Sequence, residues 1–288
     1  MIFRCVIALV FVFTLINLSS IQPESPVQAS TFQQEGGPYF DQIYSASSPD
    51  GLTWTHDGKL LLDHASAPTA VVTREGKILL YYVDATKEPE TTNCAISEDG
   101  GKTFTPLNLT IQNLTVAKTL DPSVVRLKDG RYRLYYFNGI GTQTIFSAIS
   151  DDGIHFTQET AVLPPLQLID GDVFKGWKEW LMVVASFDQQ KGSFIAASRD
   201  GTNFQVVKPF VSKEYRPANP LKIGGGKFRL YAFNLRGGTI ESFVSTNGLD
   251  WTAEPGIRLA PLPGHRVADP MVIQLPDKSW KMFYRVQN

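Results

Sequence analysis

Hydrophobic and polar residues alternate along most of the chain with a period of two, which indicates β-strands. A clear example is VVRLKDGRYRLYY (residues 124–136), where Lys-Asp-Gly separates two strand-like runs. A Gly- or Asp-containing turn between two such runs is typical of a β-hairpin. Beyond the apolar N-terminal run, the sequence shows no convincing helical period. The pattern therefore predicts an all-β protein.

This hairpin recurs along the chain, and a second element recurs in phase with it. The hairpin copies are APTAVVTREGKILLYYVDA, DPSVVRLKDGRYRLYYFN, GDVFKGWKEWLMVVASF, NPLKIGGGKFRLYAFN and DPMVIQLPDKSWKMFYRV. The second element is a short strand that ends in Ser-x-Asp/Asn-Gly, and its serines are Ser48, Ser97, Ser150, Ser198 and Ser245. Together they supply about four strands per repeat of about 50 residues, the size of a propeller blade.

The order of the two elements predicts how the ring closes. If the strands of a blade are A to D from the inside out, the chain begins with a C–D pair (Ile43–Trp54) and ends with an A–B pair (Pro270–Val286). We expect the first pair to complete the last blade, which leaves no open sheet edge. The sequence thus predicts a single five-bladed β-propeller over residues 30–288. A β-sandwich or two smaller β domains are alternatives that the register of the repeats disfavours.

The first residues have the pattern of a secretory signal peptide. Arg4 precedes the apolar run VIALVFVFTLINL, and small residues lead to a predicted cleavage after Ala29. The run is short for a membrane span, although an uncleaved signal anchor is the alternative. We therefore expect residues 1–29 to be removed from a secreted, periplasmic or extracellular protein that has no membrane segment afterwards.

The amino-acid composition limits the classes of molecule that the protein is expected to bind. The formal net charge is −1, which does not favour nucleic acid. Cys94 would be the sole cysteine of the mature chain, so the fold cannot rely on an intrachain disulfide. We expect a monomer whose partner is a carbohydrate.

The repeated Ser-x-Asp/Asn-Gly segments, called the Ser–Asp turns below, invite a catalytic interpretation that their repetition disfavours. A tight turn needs the positive φ that glycine supplies, and an Asp side chain can accept backbone N–H groups across it. Asn247 replaces the aspartate in the fifth copy and can bond in the same way. We therefore interpret Asp99 and its equivalents as structural.

A candidate site lies where the A strands begin, because propellers bind ligands at the mouth of the central channel. The position before the proline of each A strand holds Ala67, Asp121, Asp170, Asn219 and Asp269. Four positions before that proline stand His64, Lys118, Gln167, Arg216 and Arg266. Both rings vary between copies, as an asymmetric site on a symmetric scaffold requires. The alternative is that each Asp caps its own turn.

LDPSVVRLKDGRYRLYY and ADPMVIQLPDKSWKMFYR resemble the five-bladed propeller glycoside hydrolases of family 43 and of the related families 32, 62 and 130. The Ser–Asp turns resemble the Asp-box of sialidases. The first resemblance implies an Asp base, a second Asp that tunes the pKa and orients substrate, and a Glu acid, each from a different blade.

On this resemblance Asp269 would be the base, Asp121 the orienting acid, and Asp170 or Glu214 the proton donor. No A strand begins with the expected Glu, and Glu214 is the nearest one. The residues expected to bind substrate are His64, Lys118, Asp172, Arg216, Asn219, His265 and Arg266.

Three alternatives stay open from the sequence. One is a non-catalytic propeller that binds glycans or a protein. A sialidase, with Arg216, Arg236, Arg266 and Tyr215 in its site, is less favoured because those enzymes resemble six-bladed propellers. The third is a calcium ion in the channel, held by the oxygen atoms of Asp121, Asp170 and Asp269. The glycoside hydrolase hypothesis requires no cofactor.

Overall fold

The computed structural model describes residues 38–287, and the predicted signal peptide (1–29) lies outside them. The described chain consists of strands and two short 3₁₀-helices, Pro38–Phe40 and Gln189–Lys191. The strands are β1 (Asp41–Ser48), β2 (Thr55–Asp63), β3 (Ala65–Val72), β4 (Ile78–Asp84), β5 (Thr91–Ser97), β6 (Thr105–Leu107), β7 (Thr110–Gln112), β8 (Leu120–Arg126), β9 (Tyr132–Phe137), β10 (Ile145–Ser150), β11 (His155–Ala161), β12 (Leu168–Lys175), β13 (Trp180–Ser186), β14 (Ser193–Ser198), β15 (Gln205–Pro209), β16 (Tyr215–Ile223), β17 (Lys227–Asn234), β18 (Ile240–Ser245), β19 (Thr252–Ala253), β20 (Arg266–Gln274) and β21 (Trp280–Gln287). No helix within residues 38–287 is long and apolar enough to cross a membrane.

The strands form five sheets, which we number as blades 1 to 5. Blade 1 has the order β3-β4-β5-β6, blade 3 the order β12-β13-β14-β15, and blade 4 the order β16-β17-β18-β19. The inner strands β3, β8, β12, β16 and β20 each contact the inner strand of the next blade, and β20 contacts β3. The blades therefore form a ring, which confirms the predicted five-bladed β-propeller.

Blade 5 joins the two ends of the described chain. Its order is β2-β1-β21-β20, and β1 pairs with β21 from Asp41 opposite Gln287 to Ser48 opposite Trp280. Blade 2 carries one strand that the sequence pattern did not predict. The short β7, from the connection between blades 1 and 2, pairs in parallel with β11 at the outer edge. It covers an edge that would otherwise be open to solvent.

The Ser–Asp turns bond as the sequence predicts. Oδ1 of Asp99 accepts the backbone N–H groups of Lys102 and Thr103, each at 3.0 Å. The amide oxygen of Asn247 accepts two N–H groups at 2.8 Å in the same way. The Thr103 hydroxyl, which donates to Oδ2 of Asp99, and these backbone bonds stabilise the ionised carboxylate and hold the pKa of Asp99 well below its usual range.

The same turns also join neighbouring blades. The Tyr81 hydroxyl of blade 1 donates to the Gly153 carbonyl of blade 2 at 2.8 Å. Tyr135 and Tyr231 donate in the same way to turn glycines of the following blades. The aromatic residue after each turn packs edge-on against a neighbouring blade, as Phe104 does against Phe283 with ring centroids 5.6 Å apart. The turns are thus part of the inter-blade core.

Candidate active site

Each inner strand contains a bulge at the same place, and one residue there has left-handed backbone. These residues are the ones that the sequence places before the proline: Ala67 (φ 48°), Asp121 (46°), Asp170 (52°), Asn219 (45°) and Asp269 (47°). Left-handed backbone is uncommon outside glycine, and bulges re-aim side chains. Since Ala67 adopts it too, the conformation belongs to the scaffold, and the side chain it displays varies from blade to blade.

A cavity of about 290 Å³ lies between the five inner strands at the level of these bulges. Six ionisable residues line it: Asp121, Asp170, Asp172, Asp269, Arg216 and Arg285. Much of the remaining wall is apolar and includes Pro68, Pro122 and Pro270. No glutamate among residues 38–287 lines this cavity. The chain therefore brings four carboxyl groups and two guanidinium groups into a space at the lower end of ligand-pocket sizes.

Arg285 of β21 links two of the carboxylates. Its Nη1 donates to Oδ2 of the buried Asp41 at 3.0 Å, and its Nε lies 2.7 Å from Oδ2 of Asp269. The Nε–H bond of Arg285 does not point at Oδ2 of Asp269, so their contact is an ion pair rather than a linear hydrogen bond. Burial raises the pKa of Asp269 to about 6, although the Arg285 charge opposes the rise. Asp269 is therefore mostly ionised at neutral pH.

Asp121, in contrast to Asp269, favours the protonated form of its carboxyl group. Burial, and next the nearby carboxylate of Asp170, raise the pKa of Asp121 well above its usual value. The two carboxyl groups are within hydrogen-bonding reach of each other, so the protonated Asp121 can donate to Asp170. One proton on this pair relieves the repulsion between two carboxylates in one small cavity.

Asp172 stands two residues after Asp170 on β12. Its Oδ2 accepts the backbone N–H of Asn219 in blade 4 at 3.2 Å. Burial raises the pKa of Asp172 to about 7, and the charges of Asp170 and Asp269 add to the rise. Asp172 is therefore divided between its protonated and ionised forms near neutral pH.

Arg216 of β16 is 7% exposed and lines the cavity. Its Nη2 donates to the Ser186 carbonyl at 3.3 Å. No carboxylate of residues 38–287 lies within ion-pair distance of its guanidinium. Its charge nevertheless lowers the pKa of Asp269, which places the two groups near each other across the cavity.

Several residues predicted from the sequence do not line the cavity. Glu214 pairs with Arg236 at 3.1 Å on the surface, and Lys118 pairs with Glu90 at 2.7 Å. His64 stacks on Tyr39 with ring centroids 4.2 Å apart. Arg266 donates to the Leu235 carbonyl. The cavity wall thus holds Asp121, Asp170, Asp172, Asp269 and Arg216 from the predicted set.

Asn219 and His265 are also absent from the residues lining the cavity. Oδ1 of Asn219 accepts the backbone N–H of Val272 in blade 5 at 2.6 Å, so this side chain joins two inner strands. Nδ1 of His265 is buried without a hydrogen-bond partner among the described residues.

Arg285 and Asp41 were missed by the sequence reasoning. Arg285 is the one charged residue in the apolar run Met282–Val286, and it pairs with Ala268, the neighbour of Asp269. A lone arginine inside a predicted buried strand was the signal that could have revealed it, because a buried charge needs a partner. Asp41 carried no comparable signal, since it stands at the start of a strand.

The calcium hypothesis has oxygen atoms of the right kind in Asp121, Asp170 and Asp269. However, no group of three or more His, Cys, Asp or Glu side chains in residues 38–287 is arranged to hold a metal ion. Arg216 and Arg285 add two positive charges to the same wall. Calcium binding here stays a prediction.

The fold is similar to that of solved structures of low sequence identity. One is a protein of unknown function from Dyadobacter fermentans, with 17% identity, a TM-score of 0.59, and 85% of this chain and 83% of that chain covered. Another is an α-L-arabinofuranosidase from Clostridium thermocellum, with 18% identity, a TM-score of 0.60, and 75% and 80% covered.

A third similar structure is a family 43 β-xylosidase/α-arabinofuranosidase from a compost microbial metagenome, in complex with xylotriose. It shows 19% identity, a TM-score of 0.60, and coverage of 76% of this chain and 84% of that chain. No protein-family model matches the sequence, and no curated protein sequence matches it. The chain thus shares the five-bladed fold of family 43 glycoside hydrolases.

Proposed function

We propose that this protein is a secreted glycoside hydrolase that works at the central cavity through its carboxyl groups. The observation that carries the proposal is the contrast between two kinds of carboxyl group in one cavity. Asp269 is paired with Arg285, whereas burial raises the pKa values of Asp121 and Asp172 further. Hydrolysis of a glycosidic bond needs one carboxylate and one protonated carboxyl group across the bond.

In this proposal Asp269 is the general base. Arg285 keeps it ionised at neutral pH, and Asp41 anchors Arg285 from the opposite side. Asp269 takes a proton from a water molecule as the water oxygen bonds to the anomeric carbon. The protonated Asp121 can donate a hydrogen bond to Asp170. A hydrogen-bond donor in this place fits the orienting role that the family resemblance implies for Asp121.

The substrate that fits best is a neutral glycan. Of the two guanidinium groups that line the cavity, that of Arg285 is already paired with Asp41 and Asp269, so Arg216 alone is left to bind the charge of an acidic sugar. Sugar hydroxyls can donate to carboxylates and accept from Arg216. The fold neighbours named as α-arabinofuranosidase and β-xylosidase suggest pentose glycosides as the first substrates to test.

This charge balance disfavours the sialidase alternative. Of the arginines considered for it, Arg216 lines the cavity, while Arg236 pairs with Glu214 and Arg266 bonds to a backbone carbonyl. The guanidinium cluster that an acidic sugar needs is therefore not assembled there.

Secretion rests on the N-terminal sequence. We expect the mature chain to begin at Ser30, and the intact mass of the exported protein tests this expectation. A protein that retains residues 1–29 at the membrane would support the signal-anchor alternative.

Turnover of aryl α-L-arabinofuranosides, aryl β-D-xylosides and a panel of neutral and acidic plant and bacterial glycans tests the proposed activity. Asp269→Asn should lower kcat by about 10²-fold or more, in line with the loss of a general base. Asp99→Asn is the matched control, because it makes the same chemical change in a Ser–Asp turn, where Asn247 shows that an amide fits.

Binding of a panel glycan without turnover by the wild-type protein would favour the non-catalytic alternative. Equal turnover by the wild-type protein and Asp269→Asn would remove Asp269 from the mechanism.

A further inference from the structure

The residue two positions after each bulge residue joins one inner strand to the next in blades 1, 2 and 3. Oγ1 of Thr69 accepts the Val124 N–H at 3.4 Å, and Oγ of Ser123 accepts the Val173 N–H at 3.0 Å. In blade 3 this position is Asp172, which accepts the Asn219 N–H at 3.2 Å. We call these three contacts the inter-strand bonds.

The hydroxyl groups of Thr69 and Ser123 bond three residues beyond the next bulge residue, whereas the carboxyl group of Asp172 bonds at the bulge residue Asn219 itself. Asp172 lines the cavity, and the two hydroxyl-bearing residues do not. Burying an ionisable group is unfavourable unless something compensates for it. Blade 3 therefore places an ionisable group in the cavity wall where blades 1 and 2 have a hydroxyl group outside it.

The neighbouring residue also differs in blade 3. Pro68, Pro122 and Pro270 line the cavity in blades 1, 2 and 5, whereas Gly171 takes the equivalent place beside Asp172. A Cβ atom on Gly171 would lie 2.9 Å from Ile145 Cδ1 and 3.1 Å from Met182 Sδ, so a larger side chain here would have to displace buried core residues. Glycine thus allows the strand beside Asp172 to pack closely against Ile145 and Met182.

The carboxyl groups of the cavity differ in how available their protons are. The protonated form of Asp121 can donate to the nearby Asp170, and Asp269 is ion-paired with Arg285. Burial, and next the charges of Asp170 and Asp269, favour the protonated form of Asp172, whereas the Asn219 N–H and the Ser123 hydroxyl favour its ionised form. These opposing influences leave its pKa at about 7, where a group can both hold a proton and release it.

We propose that Asp172 is the proton donor of the reaction and takes the place of the missing glutamate. This inference rests on the proposed glycoside hydrolase function. The proton of Asp172 moves to the glycosidic oxygen as the bond between that oxygen and the anomeric carbon breaks. A water oxygen bonds to the anomeric carbon and its proton goes to Asp269. The products are a sugar hemiacetal and an alcohol, and the two aspartates exchange protons with solvent before the next turnover.

The test is a leaving-group series on Asp172→Ser. Serine offers a hydroxyl acceptor of the kind that Ser123 uses in blade 2, but it cannot donate the catalytic proton. Aryl glycosides of the active sugar are compared, from 2,4-dinitrophenyl, which leaves without protonation, to 4-methoxyphenyl, which requires it. We expect kcat to fall about 10²- to 10⁴-fold for the 4-methoxyphenyl glycoside and less than about 10-fold for the 2,4-dinitrophenyl glycoside.

The pH profile gives a second readout. The alkaline limb of the wild-type profile should be missing in Asp172→Ser when the 2,4-dinitrophenyl glycoside is the substrate. Thr69→Val is the structural control, because it removes an inter-strand bond in blade 1 and Thr69 does not itself line the cavity. We expect it to lower the Tm and to leave the leaving-group dependence unchanged.

The outcomes separate this inference from the proposed function. An active wild-type protein whose Asp172→Ser variant loses activity equally on both glycosides, or on neither, would overturn the role of Asp172 alone. A wild-type protein without turnover on any glycoside would overturn the proposed function and this inference together. If Asp172→Ser does not fold, Asp172→Asn gives the same comparison, since its amide oxygen can accept the Asn219 N–H.

Discussion

Nε of Arg285 lies 2.7 Å from Oδ2 of Asp269, and this contact sets the charge of the candidate base. The positive charge lowers the pKa of Asp269 against the burial that raises it. In Arg285→Gln we therefore expect the pKa of Asp269 to rise above about 6, which shifts the acid limb of the kcat/KM profile to higher pH. Turnover at pH 7 should fall about 10-fold or more, because proton transfer needs the ionised base.

Arg229→Gln is the matched control for this variant. Arg229 is a buried arginine that pairs with Glu254 at 2.7 Å in blade 4, and it does not line the cavity. Its loss should lower the Tm and leave the pH profile in place. An acid limb that moves equally in both variants would show a general structural effect instead of control by Arg285.

Asp121→Asn should stabilise the protein at alkaline pH. Because the pKa of Asp121 is raised in the folded state, folding favours the protonated form. The wild-type protein therefore loses stability as the pH rises from the unfolded value, about 4, through the folded value. The asparagine variant lacks this loss, so its Tm should exceed that of the wild type at pH 8 and approach it near pH 4. A variant that is less stable at pH 8 would contradict the raised pKa.

Gly153→Ala tests the contact between a Ser–Asp turn and the preceding blade. Its Cβ would lie 2.8 Å from the Tyr81 hydroxyl and 2.9 Å from Leu79 Cδ1, at a φ of +80°. Strained backbone and overpacking together should lower the free energy of unfolding by about 2–4 kcal/mol. Gly130→Ala, also at positive φ but with no atom within 4 Å of its Cβ, should lose only about 1–2 kcal/mol. Equal losses in urea unfolding would show that backbone strain alone determines stability at these turns.

Calcium should have little effect on stability at neutral pH. Arg216 and Arg285 line the same cavity as the aspartates, and their positive charges offset much of the carboxylate charge that would attract a cation. We expect the same Tm in EDTA and in millimolar calcium. A higher Tm with calcium that disappears in Asp121→Asn would support the calcium site that the sequence suggested.

The fold could be predicted from the sequence because the residues that specify each turn and hairpin are close together in the sequence and occur in five similar copies. Each Ser–Asp turn and each hairpin identifies itself by residue type and spacing, and five copies fix the number of blades. The added strand β7 could not be predicted, because its three residues pair with β11 through a contact that has no sequence period.

The candidate site could be predicted in part. The aspartates of the bulges were found because they occupy equivalent positions in the repeats. Of the predicted ring of His64, Lys118, Gln167, Arg216 and Arg266, Arg216 lines the cavity and the others do not. His64 and Gln167 have left-handed backbone, with φ values of 52° and 57°, which turns the chain before the inner strand begins. Spacing that assumes a regular strand cannot anticipate such a change of direction. Arg285 reaches the site from the second strand of its blade, whereas all the predicted positions lie where the inner strands begin.

The pairing of β1 with β21 has a consequence for the order in which the molecule is built. The Asp41–Arg285 hydrogen bond joins residues 244 positions apart, so it cannot form on the ribosome until nearly the whole chain has been synthesised. Blades 1 to 4 can form from continuous sequence, whereas β1 and β2 must wait for β20 and β21. The carboxyl groups of blades 2 and 3 thus precede their counterpart Asp269, and a nascent chain has no complete candidate site. Truncation of β21 should therefore abolish the site together with the closure of the ring.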